Sequence, residues 1–186
     1  MRNETTNKLL TVDEFCDMAE AGAFACEARF ELIDGQIIEM TARGNRHVGC
    51  VDRAAIFFVE AFGRRAQVSI QNPVELNLYN MPQPDVTVLK PCADFYETQR
   101  HKPEDILFVV EVSDSTLRTD RKIKLPRYAL NGVPEVWIED LRHNVLLVHR
   151  EPKDNIYRVC FTRQRGESIS PLAFPDSVFQ IEDLLG

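Results

Sequence analysis

"FVVEVSDSTLRTDRKIKLPRYALNGVPEVWIED", residues 108–140, decides how this chain folds. With the two residues before it the stretch opens as "ILFVVEV", apolar on both faces, the pattern of a strand at the centre of a sheet. Glu111 interrupts the run near its end, and a basic segment follows: Arg118, Arg121, Lys122, Lys124 and Arg127 put five cations into ten residues. A helical pattern covers about residues 121–131, with Gly132 to end it. Pro126 lies inside that pattern, where a proline removes one hydrogen bond and bends the axis. The spacing therefore predicts either a kinked helix or one whose regular part starts near Leu125. "PEVWIED" is the next strand.

Toward the N-terminus, "QVSI", "VELNLY" and "DVTVLK" read as strands. A helix is predicted from about Arg46 to Phe62, with Val48, Val51, Ala55, Phe58, Val59 and Phe62 on one stripe. "RFELIDGQIIEM" is a hairpin turning at Asp34–Gly35. Thr11 and Glu14 have the spacing of a capping box, so a short packing helix runs to about Ala21. Toward the C-terminus, "NVLLVHR" and "NIYRVCFT" form a hairpin around "EPKDN", and "SVFQIEDLLG" finishes with a turn of helix. No internal repeat or linker breaks the order. The mixture predicts an α/β (α+β mixed) fold with one mixed sheet covered by helices. It reads as a single domain over 1–186, with an N-terminal helix extension (1–24) and a C-terminal hairpin extension (143–186).

At 186 residues a single core can be stable without metals or disulfides. The net charge of −7 argues against a protein that coats nucleic acid non-specifically and against an anionic membrane surface as partner; any contact with nucleic acid must come from a local basic patch. The five cysteines are odd in number and form no C-x-x-C pair, as expected of free thiols in a reducing compartment. The N-terminus has no apolar core like that of a signal peptide, and the longest apolar run, "AAIFFV", is too short to cross a bilayer. A cytoplasmic protein without a membrane partner is expected. There is no phosphate-binding or dinucleotide-binding glycine motif and no zinc pattern among the four histidines. Trp137, the only tryptophan, reads as core.

Asp85 begins "DVTVLK" after Pro84. If that strand runs antiparallel to "ILFVVEV", its start faces the other's end, and Asp85 and Glu111 become neighbours with Cβ atoms about 5 Å apart. Paired carboxylates repel unless a proton or cation lies between them. Oxygen ligands of this kind suit Mg²⁺ or Mn²⁺. Asp120 and Lys124, four apart, share a helix face. The plainer reading makes Asp85 a turn cap, Glu111 the partner of a surface cation, and the basic strip a solvated face.

These residues resemble a known family. "PQPDVTVL" followed by "VVEVSDSTLRTDRKIKLPRYALNGVPEVWIED", with "FELIDGQIIEM", His47 and "TVDEF", is similar to the Uma-type restriction endonucleases, a branch of the PD-(D/E)XK nuclease superfamily. The similarity spans roughly residues 9–150. It implies a restriction-endonuclease-like core, with a mixed sheet flanked by helices, and a metal held by Asp85 and Glu111. The superfamily's usual lysine, two residues after the glutamate, is Ser113 here. The resemblance places it at Lys124, with Lys122 as the nearby substitute. Glu31 matches the acidic position of the hairpin and would complete the site, unless it is only an exposed hairpin charge. His47 and Asp120 are accessory, and Arg118, Arg121 and Arg127 are candidates to grip phosphates. The implied function is a metal-dependent endonuclease acting on nucleic acid, with DNA expected. A homodimer would let one site per subunit cut two strands. The competing readings are a catalytically silent binding module on the same fold, and a metal hydrolase of a small phosphorylated substrate.

Overall fold

The computed structural model describes residues 8–25 and 28–186. Helix α1 (Val12–Glu20) starts at the expected capping box: the Thr11 side chain accepts from the Glu14 N–H, and Glu14 reaches back to the Thr11 N–H. Strands β1 (Phe30–Ile33) and β2 (Gln36–Glu39) make the hairpin, with Asp34 and Gly35 both at positive φ in its turn. Helix α2 (Asn45–Phe62) follows, then β3 (Gln67–Ile70), β4 (Val86–Leu89) and β5 (Ile106–Ser113). After β5 come a single helical turn, α3 (Leu117–Thr119), a π-helical turn over Asp120–Lys124, and α4 (Leu125–Leu130). Strands β6 (Glu135–Asp140), β7 (Val145–Lys153) and β8 (Ile156–Gln164) continue the sheet. A two-residue pair, β9 (Ser168–Ile169) and β10 (Phe179–Gln180), leads to α5 (Ile181–Leu185).

Six strands form one mixed sheet in the order β3-β4-β5-β6-β7-β8, with β5 and β6 parallel and every other neighbour antiparallel. The parallel pair requires a crossover, and α3, the π turn and α4 supply it. Alternate residues of the central strands feed two cores. Val86, Val88, Phe108, Val110 and Trp137 meet α2 and α5; the Phe58 ring sits edge-on to Phe108 at 5.3 Å and to Phe179 at 5.2 Å. On the opposite face Val109, Val136 and Ile138 pack under Tyr128 and Ala129 of α4. A third, smaller core joins α1 to the β1–β2 hairpin through Val12, Phe15, Leu32 and Met81. Among the described residues no helix is long and apolar enough to cross a membrane.

Three local expectations need correction. The buried stripe of α2 is Cys50, Val51, Ala54, Ala55, Phe58 and Phe62, while Val48 and Val59 are exposed. The aromatic anchors Phe58 and Phe62 set the rotation of the helix, and the two valines fall beside that face. "VELNLY" is not a strand: it makes only isolated bridges, Val74 with His101 and Asn77 with Asn80. The Asn77 side chain accepts from the Tyr79 N–H at 3.0 Å, a local turn that competes with sheet pairing. The helix over 121–131 is neither simply kinked nor simply late. Pro126 has no N–H for the carbonyl four residues back and crowds it. The Leu125 N–H bonds to Asp120 O instead, five residues back, which defines the π turn.

Candidate active site

The antiparallel β4–β5 register sets Val86 opposite Val110. Continued by one residue, it brings Asp85 level with Glu111, as the sequence spacing requires. Asp85 Oδ2 accepts from the Val112 N–H at 2.9 Å, so its carboxylate is tied to the backbone of the central strand. Its Oδ1 meets His47 Nε2 at 3.0 Å and Gln71 Nε2 at 3.3 Å. His47 stands in the first turn of α2, close enough to the strand end to make this bond.

Glu111 is 2 % exposed. Its Oε1 accepts from the Tyr128 hydroxyl at 2.6 Å and lies 3.3 Å from Lys124 Nζ. The same ammonium is 3.2 Å from Glu31 Oε2, and Glu31 also accepts from the Gln83 N–H at 3.3 Å. Lys124 is therefore lodged between a glutamate of the central strand and one of the separate hairpin, and all three side chains are buried. The π turn and α4 carry both Lys124 and, four residues on, Tyr128 to this point. Asp120 is buried next to them, but its hydrogen bonds go to Ser113 Oγ and Thr116 Oγ1, each at 2.7 Å. Ser113, two residues after Glu111, thus anchors the start of the π turn that delivers Lys124.

The charge balance is strained. Burial pushes the Glu111 pKa well above the usual carboxylate range, and Asp120 and Asp85 push it further, against Lys124 and Tyr128. Asp120 is raised as well, chiefly by burial. Burial works against charge on Lys124, but Glu111, Glu31, Asp120 and Asp85 outweigh it and hold the ammonium charged. Burial disfavours charge on His47 too, yet the hydrogen bond and charge of Asp85 raise its pKa. Four carboxylates thus surround one lysine in a cleft of about 160 Å³. That space admits a hydrated ion or a single phosphate, so the remainder of a polymeric substrate would lie outside it.

The structure brings Asp85, Glu111, Lys124, Glu31, His47 and Asp120 together. It does not bring Lys122, Arg118 or Arg121, which are exposed. Arg127 is committed elsewhere: it pairs with Asp34 at the tip of the hairpin and donates to Ile123 O at 2.7 Å. Sequence reasoning missed Tyr128, Gln71 and Gln83. Tyr128 had a signal, because it stands one helical turn beyond Lys124. The two glutamines lie in irregular chain, where no periodicity announces which way a side chain points.

A sequence model of the Uma2 family, described as "Putative restriction endonuclease", matches residues 12–182. Among solved structures, the chain is similar to a protein of Anabaena variabilis ATCC 29413 described as a "putative nuclease belonging to DUF820". The TM-score is 0.71 at 16 % identity, over 95 % of this chain and 97 % of that one. No curated protein matches. The structural likeness establishes a shared fold. The family match runs through every element that positions the site, and the chain belongs to the Uma2 family.

Proposed function

We propose that this protein is a divalent-metal-dependent endonuclease that hydrolyses phosphodiester bonds in nucleic acid, with DNA as the expected substrate. The observation that carries the reading is Lys124 Nζ held between Glu111 and Glu31, with Asp85 level with Glu111 across the β4–β5 pair. The family match and the fold shared with a protein described as a nuclease support it.

The donor set fits Mg²⁺ or Mn²⁺ bound by two protein carboxylates, Asp85 and Glu111, with substrate and water completing the shell. Both carboxylates are hard oxygen donors, and a cation beside them would offset their mutual repulsion. When bound, such a cation lowers the pKa of a coordinated water and neutralises charge on the phosphoryl group.

The protein's own groups supply the remainder. Lys124 stays charged and is rigidly held, so it can orient an attacking water or meet the negative charge that grows on the phosphoryl oxygens. Tyr128 holds Glu111 in place through the 2.6 Å bond, and the Val112 N–H does the same for Asp85. Arg118, Arg121 and Lys122 follow β5 and stand exposed, so they are free to meet backbone phosphates of a long substrate.

The test is nicking of supercoiled plasmid with Mg²⁺ or Mn²⁺ by wild type, Asp85→Ala and Lys124→Ala. Cleavage by the wild type alone is expected. Full metal-dependent cleavage by Asp85→Ala would overturn the proposal.

A further inference from the structure

Two arginines outside the site described above point into the same cleft. Arg29 immediately precedes β1, and Arg43 immediately precedes Gly44, the N-cap of α2. Both line the cleft that holds Asp85, Glu111 and Lys124. Arg29 Nη1 and Arg43 Nη2 are buried and have no hydrogen-bond partner among the described residues. A buried guanidinium donor without an acceptor is costly, on the order of 1–3 kcal/mol or more. Proteins seldom retain two such donors at one place without a ligand to receive them.

The surroundings favour an anion. Arg43 is aimed by Gln71: its Nη1 donates to Gln71 Oε1, and Gln71 Nε2 in turn donates to Asp85. The guanidinium is thus two hydrogen bonds from a proposed metal ligand. Next to it α2, eighteen residues long, begins at a glycine with no side-chain cap and no acidic residue in its first turn. That leaves the positive end of its dipole toward the cleft. Burial lowers the Arg29 pKa, against the pull of Asp85 and Glu31, which places its charge within reach of the same carboxylates.

We propose that Arg29 and Arg43, together with the open N-terminus of α2, clamp a phosphate group of the substrate beside the metal-binding carboxylates. The proposal rests on the nuclease reading for the identity of the ligand, a nucleic-acid phosphodiester. It assigns the grip closest to the chemistry to residues outside the basic segment 118–127. Two guanidinium groups and a helix N-terminus match the spread-out charge of phosphate oxygens better than a single ammonium does.

The test is metal-free DNA binding in EDTA, read as fluorescence anisotropy of a short fluorescein-labelled duplex, with salt varied from about 50 to about 200 mM. Arg29→Gln/Arg43→Gln should bind at least about tenfold more weakly than wild type. Its plot of log affinity against log salt should flatten by about one to two units, as expected for two lost phosphate contacts. Arg29→Lys/Arg43→Lys should recover part of the affinity, because charge returns without the planar fork. Circular dichroism melting of each variant separates misfolding from loss of contact. Wild-type affinity and slope in the folded Gln variant would overturn the clamp, as would no measurable duplex binding by wild type. The two proposals fail separately. Plasmid cleavage together with unaltered binding by the Gln variant removes only the clamp. Weakened binding without cleavage by wild type removes only the hydrolytic reading.

Discussion

Two glutamates lie near the ends of neighbouring parallel strands, and they differ in almost everything else. Glu111 lies near the close of β5 and Glu139 near the close of β6, one step along in register, where it pairs with Val112. Both are buried, and burial raises the pKa of both. Glu111 faces the cleft, with Lys124, Tyr128 and Asp85 around it. Glu139 faces the α2 core, where the Cys50 thiol donates to its Oε2 at 2.5 Å and its Oε1 has no partner among the described residues. Burial lifts its pKa to about 8, against the Cys50 hydrogen bond and the charge of Arg53. A buried acid is therefore not in itself a site. Glu111 differs by its fixed cation Lys124, by Asp85 level with it across the β4–β5 pair and by its place in the lining of the cleft; Glu139 lies inside an apolar layer, where burial raises its pKa.

The largest expected effect separates the two glutamates by activity. Glu111→Gln should reduce metal-dependent plasmid nicking by at least about a hundredfold, because a proposed metal ligand is lost. Glu139→Gln should stay within a few-fold of wild type. Equal losses in both would erase the distinction.

Removal of the cation is next. Lys124→Met leaves Glu31 and Glu111 buried without their partner, and breaking such a pair costs about 3–5 kcal/mol. Urea unfolding should show that loss. Added Mn²⁺ should restore part of it, if Asp85 and Glu111 bind the metal.

The pH dependence tests Glu139. Its folded-state pKa of about 8 lies above the ordinary value of 4.5, so the folded state holds its proton more tightly than the unfolded chain does. Its stabilising contribution is complete below about pH 4.5 and is lost as pH rises toward 8, by on the order of a few kcal/mol. Denaturant midpoints across that window should fall in the wild type and fall less in Glu139→Gln. Identical profiles would mean that Glu139 ionises freely in the fold.

The smallest effect belongs to Lys122→Ala. It stands two residues from Lys124 but is exposed, and its loss should alter nicking by less than about threefold and stability by less than about 0.5 kcal/mol. A loss as large as that of Lys124→Met would show that the π turn had been read in the wrong register.

The central strand, the Asp34–Gly35 turn and the capping box of α1 could be read from the sequence, because each depends on neighbours within a few residues. The approach of Asp85 to Glu111 could also be read, since a strand that starts at one end of an antiparallel pair has only one place to meet its partner's end. The role of Ser113 could not. Its hydroxyl holds Asp120, a bond from the end of β5 to the start of the π turn that no local periodicity announces. Arg29 and Arg43 were equally hidden: each borders an element rather than lying in one, and no periodicity governs such positions. Arg127 belonged by spacing to the basic strip, but the distant hairpin claims it through Asp34.

That hairpin lies outside the six-stranded sheet, yet it carries Glu31. It is joined to the remainder by the backbone bonds between Leu32 and Met81, at 2.8 and 3.2 Å, and by the ion pair from Asp34 to Arg127, 93 positions along the chain. In folding terms these are contacts of high order, whose loop-closure entropy is met late. The six strands can pair and bury both faces before β1 and β2 dock. Lys124 would then enter its place with Glu111 alone, and the second glutamate would arrive only with the hairpin. In that order, assembly of the sheet and completion of its charge cluster would be separate steps, divided by the docking of eight strand residues.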